Sequence, residues 1–91
     1  MKYYVVTFTH TKIVGWAIFL HAHVKYLKKL LDGKKLRAAG VYENNPLSGL
    51  SILSVIDAAE AEAIMKEDPF VKKLGASYQV IQWDPKFGEF K

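Results

Sequence analysis

The sequence predicts an α+β domain in which four antiparallel strands carry two helices on one face. Three observations predict it. The hydrophobic period switches between two and 3.6 in the order strand, helix, strand, strand, helix, strand; each junction carries turn or capping residues; and 91 residues are enough for one core but not for a second domain. Residues 1–91 therefore read as a single domain.

Residues 2–8 (Lys-Tyr-Tyr-Val-Val-Thr-Phe) are rich in β-branched and aromatic side chains, which suits a strand, and residues 9–13 form a polar connection. From about 14 to 32 the period becomes helical. Trp16, Leu20, His23, Leu27 and Leu30, flanked by Val24 and Leu31, recur at steps of three and four and make one inward stripe, ended by Gly33. Lys35–Tyr42 and Leu50–Ile56 read as two strands of a hairpin, because residues 43–49 between them (Glu-Asn-Asn-Pro-Leu-Ser-Gly) supply turn chemistry. Asp57 is placed as an N-cap with Glu60 three residues on, and Ala58, Ala61, Ile64 and Met65 give the second helix its apolar face. Pro69 pushes Asp68 out of the helical region and ends that helix. Pro69–Leu74 can make one more short turn closed by Gly75, Ser77–Trp83 forms the last strand, and the tail from Asp84 keeps Phe87 and Phe90.

This order is that of the ferredoxin-like plait. Its strands carry more apolar surface than two helices can cover: Tyr3, Val5 and Thr7 alternate with Tyr4, Val6 and Phe8, and Leu50, Ile52 and Ile56 with Leu53 and Val55. A second copy of the chain is expected on the remaining face, sheet against sheet, as a homodimer.

Composition narrows the function classes. With 51% hydrophobic and 24% charged residues the chain is an ordinary globular protein. No apolar run approaches the roughly 20 residues that span a bilayer, and the start lacks the pattern of a secretory leader, so no membrane association is expected. The absence of cysteine excludes disulfides, thiolate metal ligands and a cysteine nucleophile, and fits a cytoplasmic protein. A net charge of +4 is a mild anion preference at most, and the lysine pairs read as solvated helix ends. Nucleic acid is not an expected partner: the RNA-recognition motif shares the element order but needs aromatics on its central strands, and Leu50–Ile56 has none.

Two histidines, His21 and His23, stand at the front of the first helix. Side chains turn about 100° per residue, so these two lie roughly 200° apart and cannot meet on one metal ion. No metal and no other cofactor is expected. His23 shares the inward stripe, whereas His21 lies with Ala17, Lys25 and Lys28 on the outer side. Read from the residues alone, His23 is a core histidine satisfied by one hydrogen bond or an acid–base group, and packing is the weightier reading. His10 has no spacing argument behind it. Asp68, four residues after Ile64 and seven after Ala61, extends the second helix's inner stripe and could partner His23; from the residues alone, the N-cap of the turn that Pro69 opens is the weightier reading.

Beyond these patterns, "HVKYLKKLLDGKKLRAAG" from His23 to Gly40, the strand Gly49-Leu-Ser-Ile52, and Glu67-Asp-Pro-Phe70 before a strand ending in Trp83 resemble the YCII-related proteins, members of the dimeric α/β-barrel superfamily. The resemblance covers about residues 20–83. It implies that His23 and Asp68 form a catalytic dyad, and relatives include muconolactone-isomerase-like proteins and a chloro-hydroxyquinol dehydrochlorinase. Val41 stands where the family commonly has proline, which changes the pocket edge.

The chemistry so implied is proton transfer on a small carbonyl, lactone or quinol compound by a lyase or isomerase, with His23 as base and Asp68 holding its tautomer. Tyr26, one turn after His23, and Phe70, beside Asp68, are candidates for the substrate-binding wall, although core aromatics need no further role. The competing reading is a non-catalytic module that uses the same pair to orient a bound small molecule.

Overall fold

Eight residues of β-branched and aromatic character form β1 (Lys2–Thr9), and the structure, a computed structural model, describes residues 1–9 and 16–88, with the backbone only at 16 and 17. The expected connection at 10–13, His10 within it, the first residues of the expected helix and Phe90 lie outside the described residues. Helix α1 (Trp16–Asp32) follows, then β2 (Leu36–Tyr42), β3 (Asn45–Val55), α2 (Ala58–Glu67), α3 (Pro69–Leu74) and β4 (Ser77–Trp83). The strands make one antiparallel sheet in the order β2-β3-β1-β4. This is the ferredoxin-like plait, with α3 as a short third helix.

Register separates the two faces of the sheet. Tyr4 pairs with Leu53 and Val6 with Ser51, and these residues point toward the helices, where Tyr4, Val6, Leu53 and Val55 join Ala61, Ile64 and Met65 of α2 in the buried core. Tyr3, Val5, Leu50, Ile52, Ile81 and Trp83 fall on the opposite face, and Ile81 remains 48% exposed. Arg37 donates to the Tyr3 hydroxyl at 2.9 Å on that side.

The caps explain why the helices start and stop where they do. Asp57 accepts from the Glu60 N–H, and Glu60 accepts from the Ile56 N–H while pairing with Lys35. That pairing holds the Glu60 carboxyl below its usual range, with the Lys35 hydrogen bond as the main cause. Gly75 (φ 68°) closes α3 in the left-handed region. At the end of α1 the left-handed residue is Lys34 (φ 63°) and not Gly33. The Lys35 N–H bonds the Leu30 carbonyl and the Lys34 N–H bonds that of Leu31, a Schellman closure in which lysine takes the place that glycine usually fills.

The hairpin differs from the sequence expectation. Its turn is Glu43-Asn44 alone, and β3 begins at Asn45, so Pro46 and Gly49 belong to the strand. Pairing jumps from Val41↔Gly49 to Tyr42↔Asn45, leaving Pro46, Leu47 and Ser48 bulged away from β2. A proline without an N–H is tolerated where no ladder bond is required. At Gly49 a Cβ would run into the Gly40 carbonyl oxygen and come within 2.6 Å of Phe8 Cζ and 2.9 Å of Val41 Cα. The glycine is thus demanded by close approach of β2, not by a turn. The strand also stops at Val55, leaving Ile56 exposed beyond it, and Ala58 of the expected helix face is exposed as well.

Candidate functional site

The first half of α1 crosses above the helix-facing side of the sheet without sealing onto it, and a cavity of about 750 Å³ lies between them. Leu20, Val24 and Leu27 line it from α1, Phe8 from β1, and Phe70 and Val71 from α3. Leu20 and Val24 sit on the predicted inward stripe yet are 36% and 40% exposed, because the space beneath them is the cavity.

His23 and Asp68 meet at this cavity. His23 Nδ1 lies 2.9 Å from Asp68 Oδ1, and the same oxygen accepts the Phe70 N–H at 2.8 Å. Asp68 is therefore both the N-cap of α3 and the partner of His23, the two roles that the sequence left as alternatives. A carboxylate only accepts, so Nδ1 is the donor and the lone pair of the neutral ring is placed on Nε2. Phe70 stacks on the imidazole, with centroids 4.2 Å apart and planes 11° off parallel. The ring is thus fixed in plane by the carboxylate and in tilt by the phenyl. The His23 side chain is 15% exposed and that of Asp68 8%: accessible enough to meet a ligand, dry enough for the hydrogen bond to matter.

A profile of the YCII-related domain matches residues 15–84. The chain belongs to the YCII-related family. Among curated proteins no sequence match is found. Among solved structures, this YCII-related chain is similar to the 5-chloro-2-hydroxyhydroquinone dehydrochlorinase of Burkholderia phenoliruptrix in complex with 2,5-dihydroxybenzoquinone. The two share 16% identity over 89% of this chain and 93% of that one, with a TM-score of 0.65. At that identity the likeness speaks for the fold.

The other residues singled out from the sequence fall in different places. Phe70 is buried and contributes to the cavity wall. Tyr26 packs against the core and does not line the cavity; its hydroxyl donates to the Ile64 carbonyl at 2.7 Å and ties α1 to α2. Burial, with the nearby charges of Asp68 and Glu67, pushes its ionisation up to about 12. Val41 stands at the cavity edge and is 58% exposed. His21 is on the exposed side of α1. Replacing His21 with alanine is expected to change stability by no more than about 0.5 kcal/mol and to leave ligand binding intact, which thermal melts and a binding titration would check. No described cluster of three or more His, Asp or Glu could hold a metal ion, and no helix among the described residues is long and apolar enough to cross a membrane.

Sequence reasoning missed Ser51. It is buried, points to the helix side in register with Val6, and lines the cavity. A polar residue interrupting the inward series Tyr4, Val6, Leu53 and Val55 was the available signal.

Proposed function

We propose that this YCII-related protein is a small-molecule lyase or isomerase in which His23 moves a proton and Asp68 holds the ring. One observation carries the reading: a histidine oriented by a carboxylate opens onto an apolar cavity of a size suited to a small organic molecule. Nε2 takes a proton from a carbon beside a carbonyl, leaving an enolate and an imidazolium hydrogen-bonded to Asp68. The proton then returns at another carbon, which is isomerisation, or the enolate expels a leaving group such as chloride, which is elimination. The dehydrochlorinase with a similar fold makes hydroxyquinols the first compounds to try.

The test is exchange in D₂O, followed by proton NMR, over a panel of small hydroxyquinols, enones and lactones. Loss of a carbon-bound proton signal at least about a hundredfold faster than in buffer, the scale of acid–base catalysis, is the expected result. Tight binding with no exchange in any compound would instead identify an orienting module.

The homodimer belongs to the same proposal. Its support is the apolar sheet face that the helices leave uncovered, with Val5, Leu50 and Ile52 at its centre and Ile81 and Trp83 toward β4. A stable monomer at micromolar concentration in analytical ultracentrifugation would overturn it. A cysteine-free composition is in keeping with a cytoplasmic location, where structural disulfides are rare, and that location is part of the same proposal.

A further inference from the structure

The cavity's polar side chains are few. Among the described lining residues, only His23, Asp68 and Ser51 carry a side-chain nitrogen or oxygen. The proximal oxygen of Asp68 is committed twice, to the imidazole and to the Phe70 amide. Ser51 differs from both. Its residue surface is 7% exposed, it occupies the central strand β3 between Val6 of β1 and Ala39 of β2, and its hydroxyl has no hydrogen-bond partner among the described residues. The buried serine of the bulge, Ser48, is bonded to Thr9 and Asn45.

A buried hydroxyl left without a partner is costly, and native proteins rarely leave one so. In a cavity wall the missing partner comes from whatever occupies the cavity. Ser51 sits on the sheet floor, whereas His23 projects from α1 on the roof, and the walls between them are hydrocarbon: Leu20, Val24, Leu27, Phe8 and Val71. The occupant therefore has one polar group offered from the sheet and another from the helix layer, in a wall that is otherwise mostly apolar.

We infer that Ser51 is a second anchor of the ligand site, which selects an uncharged molecule with an apolar body and an oxygen function at each end, one for His23 and one for the Ser51 hydroxyl. The inference deepens the proposed function and rests on its cavity as the binding site. It concerns recognition and not turnover: Ser51 positions the molecule so that its other end lies at the imidazole. A ligand carboxylate is disfavoured because no cation stands among the described lining residues and Asp68 brings a negative charge.

The test is a cycle of two ligands and two proteins, read by amide chemical-shift titration under anaerobic conditions. Hydroquinone carries oxygens at both ends, and phenol carries one. With the wild-type chain hydroquinone is expected to bind about fivefold tighter than phenol, the worth of one ordinary hydrogen bond. Ser51→Ala should erase that difference while leaving phenol affinity unchanged. Ser54→Ala, a buried serine on the other face of the sheet, should leave both affinities unchanged. Equal weakening of both ligands by Ser51→Ala, or an undiminished preference for hydroquinone, would overturn the assignment. So would failure of hydroquinone to shift cavity amides at all. Because neither probe needs to react, loss of the preference and loss of proton exchange are separate results: His23-dependent exchange on another compound would leave the proposed chemistry standing while this inference fell.

Discussion

His23→Ala is expected to lower any proton exchange or turnover supported by the wild-type protein by at least about a hundredfold, since positioned acid–base groups contribute roughly 10²–10⁴ in rate. The change removes the only described histidine at the cavity while leaving its apolar walls, so ligand affinity should fall far less than rate. Asp68→Asn is the sharper companion. Asparagine is as good an N-cap as aspartate, so the Phe70 N–H can keep its acceptor and α3 its start. What is lost is the negative charge that stabilises the imidazolium. The expected result is a folded protein with near-normal ligand affinity and a rate reduced by a factor of ten or more, checked by circular dichroism, binding titration and the exchange assay together. Unchanged exchange in both variants would remove the pair from the chemistry and leave Asp68 as a helix cap with a histidine beside it.

The second large effect is structural. Gly49→Ala is expected to destabilise the fold by about 3 kcal/mol or more, the upper end of what overpacking costs. Two of the atoms that its methyl would meet, the Gly40 carbonyl oxygen and Val41 Cα, belong to the backbone of β2, and only Phe8 could rotate aside. For a chain of this length such a loss corresponds to a fall in Tm of more than about 12 °C, readable in a thermal melt. Gly40→Ala is the control, because a Cβ there meets nothing within 4 Å. Since Gly49 lets β2 lie close to Phe8, and Phe8, Gly40 and Val41 all border the cavity, a partly tolerated alanine would also reshape that edge.

The contrast between these two glycines shows what the sequence can and cannot express. Period and capping were legible because they are local: the stripe through His23, Leu27 and Leu30, the Asp57 cap and the Asp68-Pro69 break all depend on residues within a turn of one another, and the elements formed where they were expected. The hairpin boundary was not legible, because Pro46 and Gly49 carry the same letters whether they make a turn or occupy a bulged strand. Only the approach of Phe8 and of β2, distant in sequence, decides between these. The same holds for the site. His23 and Asp68 could each be placed on an inward face, but no spacing rule brings residues 45 positions apart within 2.9 Å. Tyr26 shows the converse: one helical turn from His23, it faces the Ile64 carbonyl and the core, since three positions rotate a side chain by roughly 300° and α2 occupies that side. Ser51 could be assigned by alternation to the face of Leu53 and Val55, but nothing local says that the space above it is left as a cavity and not filled by a side chain.

The oxygen that Asp68 shares between the Phe70 amide and His23 ties chemistry to local order. Helix α3 has only six residues, and a helix this short fluctuates at its ends more readily than a long one. When its first turn opens, the capping oxygen is released and the imidazole loses both its carboxylate and the phenyl against which it rests. The lifetime of the aligned ring is then bounded by the lifetime of one turn of helix. A ligand that needs the ring aligned binds the closed turn preferentially and so lengthens that lifetime, by the same mass action that lets any ligand stabilise the state it prefers. Occupying the cavity and completing α3 become one equilibrium, in which the rigidity of the His23–Asp68 pair is supplied in part by the molecule bound beside it.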